Sequence, residues 1–181
     1  DDTPMPMPVY PHLDIYGASV RGPLAGGIVW LEGGYFDSRD DLYGDDPMMP
    51  NSQAIGLGGF ERQVATNLTV NGQWQAGYMI DHDEYAAPRE DRGMYVRDEI
   101  RHLLTSRITK LLADELLTLS AFGFYSPTDE DVYVRLSATY KHTDELTLAI
   151  GGNIFDGQCQ ATEFGQFQKN DNIYAKATYG F

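Results

Sequence analysis

Along residues 68–80 the side chains alternate in character without a break. Leu68, Val70, Gly72, Trp74, Ala76, Tyr78 and Ile80 share one parity, and Thr69, Asn71, Gln73, Gln75, Gly77 and Met79 the other. Successive side chains of an extended chain point to opposite faces, so this pattern predicts a strand lying between two different surroundings. The run exceeds the five or six residues usual for a strand in a globular sheet. The pattern recurs at 132–141, where Val132, Val134, Leu136, Ala138 and Tyr140 oppose Tyr133, Arg135, Ser137, Thr139 and Lys141. It recurs again at 146–154, where Leu146, Leu148, Ile150, Gly152 and Ile154 oppose Thr147, Ala149, Gly151 and Asn153.

Residues 117–125 and 100–109 carry the same period with more noise. In the second, Leu103, Leu104, Ile108, Leu111 and Leu112 also fit a helical spacing, so 100–117 reads either as a helix or as two strands, and Thr-rich alternation on both sides of 113–115 favours the strands. Three earlier segments, 13–22, 28–36 and 54–63, are rich in glycine, which weakens a strand but suits a curved barrel wall. With 172–181 these make nine predicted strands, with no helix needed between them.

The connections differ by end. Residues 64–67, 113–115 and 141–145 are tight, whereas 37–53, 81–98 and 156–171 are long and acidic, with 126–131 the short member of that side. Short turns at one rim and long loops at the other are the anatomy of bacterial outer-membrane barrels, with the short turns facing the periplasm. The expected fold is therefore all-β, an antiparallel up-and-down transmembrane β-barrel. Nine antiparallel strands leave the first and last pointing the same way, while single-chain bacterial barrels have even numbers. The lead-in 1–12 carries four prolines and reads as loop. The chain is accordingly expected to supply the C-terminal strands of a larger barrel that has an odd number of strands upstream.

Composition narrows the function. Apolar runs such as 26–31 and 56–60 fall far short of the roughly 18–20 residues a spanning helix needs. Lys+Arg 13 against Asp+Glu 27 gives a net charge of −14, which argues against nucleic acid as a partner. One cysteine, Cys159, excludes an internal disulfide, a CxxC pair and a haem attachment motif. Residues 1–12 lack a basic and apolar leader, so processing or truncation is expected to have removed whatever preceded them. Four separated histidines offer no metalloprotease spacing, and neither a nucleophile elbow nor a phosphate loop is present. No cofactor and no metal are expected.

The polar parity supplies the candidate pore lining: Glu32, Gln73, Gln75, Glu99, Arg101, Arg107, Arg135 and Lys176. Charged rings of this kind can set ion selectivity, and they can equally pair with one another inside a filled barrel. Tyr35, Tyr78, Tyr125, Tyr140, Tyr179 and Phe181 fall near strand ends on the apolar parity, as interface aromatics do. A soluble β-sandwich is the competing reading, though its strands should be shorter. The acidic loops, 37–46 with Asp40, Asp41, Asp45 and Asp46, 81–84 and 129–131, could bind divalent cations that bridge lipopolysaccharide, or simply be solvated.

In the last strand Ile173, Ala175, Ala177, Tyr179 and Phe181 share one parity and the chain stops on the aromatic. This ending resembles the C-terminal assembly signal of outer-membrane β-barrel proteins, carried here by Ile173, Tyr179 and Phe181. The segments 17–22, 33–38 and 124–131 are similar to those of porin-like proteins of Gram-negative bacteria. The resemblance implies an outer-membrane location, passage through the periplasm to the barrel-assembly machinery, lipid and lipopolysaccharide as surroundings, and a homo-oligomer or partner protein as further company. It also implies a channel or scaffold role. The leading expectation is passive diffusion of small hydrophilic solutes or ions, with net negative charge favouring cations. A sleeve for a partner such as an electron-transfer cytochrome is the alternative. An outer-membrane hydrolase built on Asp81, His82 and Asp83 comes third, and an enzyme is not expected.

Overall fold

A computed structural model describes residues 10–46 and 49–181 of the chain. Nine strands follow one another: β1 (Leu13–Leu24), β2 (Gly27–Ser38), β3 (Gln53–Ala65), β4 (Leu68–Met79), β5 (Ile100–Leu112), β6 (Leu117–Ser126), β7 (Asp131–Lys141), β8 (Leu146–Gly157) and β9 (Asn172–Tyr179). They form one antiparallel up-and-down sheet in sequence order. The sheet is open, since β1 and β9 each pair with one neighbour. The ambiguous stretch 100–117 is a strand hairpin, because the alternation pairs Leu104 with Trp74 on one side and Tyr125 on the other. A nine-residue helix, α1 (His82–Glu90), stands inside the long β4–β5 connection, where it rides on the rim as loop structure and leaves the meander intact.

The tight turns follow from local chemistry. Ala25 and Gly26 both take positive φ, 50° and 74°, which matches the right-handed twist of the strands they join. Asn67 at φ 57° closes β3 to β4 beside a register shift between Gln63 and Ala65. Residue 181 lies just past β9, although Gly180 still donates its N–H to the Glu145 carbonyl.

Register divides the sheet into two faces. Val20 opposes Leu31, Gly58 opposes Trp74, Trp74 opposes Leu104, Leu104 opposes Tyr125 and Val134 opposes Ile154, so the apolar parities of all the strands meet on one side. Among the described residues nothing covers that side. Val20 is 65% exposed, Leu31 58%, Ile150 56% and Ile173 84%, and the buried apolar residues among those described are Trp30, Tyr85, Ala86 and Phe164. Trp30, on the opposite side, lies across Gly59, where any Cβ would sit 2.3 Å from the indole ring. A glycine at that register is what lets the ring lie flat on the sheet.

Candidate functional site

The second face is mixed, and it is where polar chemistry concentrates. Arg21, Arg101, Arg107, Arg135, Lys141 and Lys176 point to it from the strands, against Glu32, Glu61 and Asp131. The chain carries a net charge of −14, yet this face of its strands is basic, because the acidic residues sit largely in the connections. The register places Glu32, Gln73, Gln75, Arg101, Arg107, Arg135 and Lys176 together on this face. Glu99 stands apart. It precedes β5 at the rim, and its carboxylate meets the Tyr78 hydroxyl.

One row of the mixed face crosses seven strands. Glu61, Asn71, Arg107, Phe122, Arg135, Asn153 and Asn172 are successive cross-strand partners. Asn71 donates to Glu61 at 3.3 Å and Asn153 to Asn172 at 2.8 Å. The Arg107 guanidinium lies 4.9 Å from the Phe122 ring centre. Arg135 donates twice to the Tyr174 hydroxyl, at 3.2 and 2.9 Å, and Tyr174 reaches it by lying over Gly151. Further along, Trp30 donates to Gln73 at 3.2 Å and Arg21 stacks on the same indole.

Toward the long-loop end the mixed face turns aromatic. Phe124 stacks on Phe164 at 5.4 Å, Tyr133 on Phe155 at 4.7 Å, and Phe122 meets Phe124 edge-on at 4.8 Å. Phe164 belongs to the β8–β9 connection, which thereby folds over the end of β6–β8. Its backbone N–H donates to the buried Asp131 carboxylate at 2.8 Å. Beside it, Asp129 accepts from Arg101 at 2.5 Å, from Ser126 at 2.9 Å and from Tyr95 at 3.1 Å, while Arg101 also pairs with Glu163 at 2.9 Å. Burial works to raise the Asp129 carboxyl, but Arg101, Ser126 and Tyr95 outweigh it and hold the group below its ordinary value. Burial and the Asp129 charge push the Tyr95 phenol up to about 12.

Residue patterning alone did not reveal this rim network, because its members are joined by folded loops. The one local signal was Ser126 three residues before Asp129, a turn in which Asp129 N–H donates to the Ser126 hydroxyl. The aromatic cluster had a signal too, since Phe122 and Phe124 sit on an otherwise polar parity.

The acidic loop after β2 spends Asp41 on its own backbone, accepting from the N–H groups of Gly44 and Asp46. Among the described residues no group of three or more metal-ligating side chains gathers. His82 places its Nε2 at 2.7 Å from the Arg97 carbonyl, bonded to backbone at the start of α1.

The apolar face has its own order. Tyr16, Tyr35, Tyr78 and Tyr125 mark the long-loop end, and Tyr140 and Tyr179 the short-turn end. Charged residues of that parity, Asp14, Asp37, Asp156, Arg62 and Lys110, keep to the strand ends. Lys110 turns its ammonium to the Thr66 carbonyl in the adjoining turn. No protein-family model matches the chain, and no curated protein or solved structure matches it.

Proposed function

We propose that the chain forms wall of a porin-like β-barrel in a Gram-negative outer membrane, through which small hydrophilic solutes or ions diffuse passively. The observation that carries this reading is the exposed apolar face, free of charge between its two rims on all nine strands. Soluble monomers rarely expose contiguous apolar patches beyond a few hundred Å², on the order of 300–600 Å². At about 3.3 Å per residue, Leu68 to Tyr78 runs about 33 Å, enough for a strand tilted by about 40° to cross a band about 25 Å tall. Tyrosines at both ends suit the two membrane interfaces. The aromatic C-terminal strand suits recognition by the barrel-assembly machinery, and the acidic loops would then face lipopolysaccharide.

Unpaired strand edges are not tolerated in hydrocarbon, so β1 and β9 need neighbours. Since both run the same way, closing the sheet with antiparallel partners takes an odd number of further strands between them.

The test is conductance of the purified protein in a planar bilayer, with selectivity read from the reversal potential in a salt gradient. Stepwise openings are expected. A barrel that inserts and stays silent would sink the channel reading in favour of a filled barrel or a partner sleeve. The cover of Phe164 and its neighbours over the mixed face is the feature that favours a filled barrel.

A further inference from the structure

The mixed face contains a cavity of about 350 Å³ lined by Arg107, Ser120, Phe122, Tyr133, Arg135 and Ser137. Arg107 and Arg135 flank Phe122 on adjoining strands of one row, so their Cα atoms stand two strand spacings apart, about 9–10 Å. Ser120 and Ser137 are cross-strand partners in the row two residues nearer the short turns. The ion pairs of the described residues engage Arg39, Arg101 and Lys141, and neither guanidinium of this cavity. Arg135 is held by a phenol and Arg107 by a ring, both neutral partners. Glu61, the acid in the same row, lies beyond Asn71 and is bonded to it.

Two cations left without carboxylates, with hydroxyls below them and aromatic rings beside them, describe a complementary surface for one kind of ligand. We infer that this cavity is a binding subsite for a small organic anion with an aromatic body, an arylcarboxylate. Its carboxylate takes hydrogen bonds from Arg107 and Arg135 and from the Ser120 and Ser137 hydroxyls. Its ring lies against Phe122 and Tyr133, which continue into the aromatic cluster above. The inference rests on the channel reading in one respect, that the ligand is then a passing solute. It also reverses the selectivity expected from net charge, because the sign that a solute meets at this level is positive.

The probe is benzoate, titrated calorimetrically into the full chain refolded in detergent micelles, with benzylamine and inorganic phosphate as controls. Benzoate is expected to saturate while benzylamine does not, and phosphate is expected to bind more weakly. The Arg107→Gln/Arg135→Gln variant, which keeps polar side chains for packing, is expected to weaken benzoate at least about ten-fold. Should that variant lose its strand circular dichroism, Ser120→Ala/Ser137→Ala serves instead, with a weakening of about three-fold or more expected. Equal binding of benzoate and benzylamine, equal binding of phosphate, or unchanged affinity in a folded variant would overturn the subsite. Silent bilayers with saturable benzoate overturn the channel and keep the subsite. Conducting bilayers without benzoate binding do the reverse.

Discussion

Asp129 gathers the long-loop end around a single carboxylate. It accepts from an arginine on β5, a serine at the end of β6 and a tyrosine in the β4–β5 connection, and Arg101 extends the link to Glu163 in the β8–β9 connection. The Glu163 side chain is 52% exposed, so its share is small, whereas the Asp129 side chain is only 6% exposed. A carboxyl whose folded value lies below its ordinary one contributes fully above that ordinary value, near 3.8, and its contribution disappears as pH falls through the folded value. The connections should therefore stay docked through pH 5 and loosen below about pH 4. Tyr95 mirrors this at the alkaline end. Its contribution is complete below about pH 10 and declines as pH rises toward about 12. Amide exchange of residues 158–171 is the measurement, and a protection profile flat from pH 6 to pH 3, after correction for intrinsic exchange, would remove the latch. Asp129→Asn at neutral pH should cost about 1–3 kcal/mol of local opening, read as at least about five-fold faster exchange in that connection.

Among elements, β7 shows the two-faced logic most simply. Leu136 faces outward at 51% exposure in the middle of the apolar side, level with Ala121 and Gly152. On the proposed barrel reading a charge there would stand near mid-bilayer, so Leu136→Arg should destabilise the protein in lipid vesicles by about 2–4 kcal/mol. Gln75→Arg, on the mixed face of β4, should shift the urea refolding midpoint little. Equal effects of the two would contradict the assignment of faces. The parity of β4, β7 and β8 was readable from residues alone because a strand has only two sides, and one polar residue in two suffices to mark them. For β1 and β3 it was not. Their glycines carry no polarity, and it takes the pairing of Val20 with Leu31 and of Leu31 with Gly58 to say which side Arg21 and Glu61 occupy.

At the scale of the molecule, an open sheet with two parallel-running edges makes a prediction about closure. Cysteine pairs scanned along β1 and β9, with Cys159 replaced by serine, should fail to form disulfides in vesicles, since strands separated by an intervening neighbour lie beyond the roughly 7 Å limit on Cα spacing. Efficient cross-linking at any pair would mean that β1 and β9 meet directly and would overturn the antiparallel closure. Residue order by itself determined the strand count, the meander, the alternation of short and long connections, and the positions of tyrosines at strand ends, because all of these depend on a period of two and on local turn chemistry. Tertiary structure decided what depends on register and on chain returning from a distance: the basic sign of the mixed face, the pairing of Arg107 and Arg135 across Phe122, the helix on the rim, and the fold of the β8–β9 connection over its aromatic neighbours. Net charge sums every residue without regard to side, whereas register decides which of them share a face.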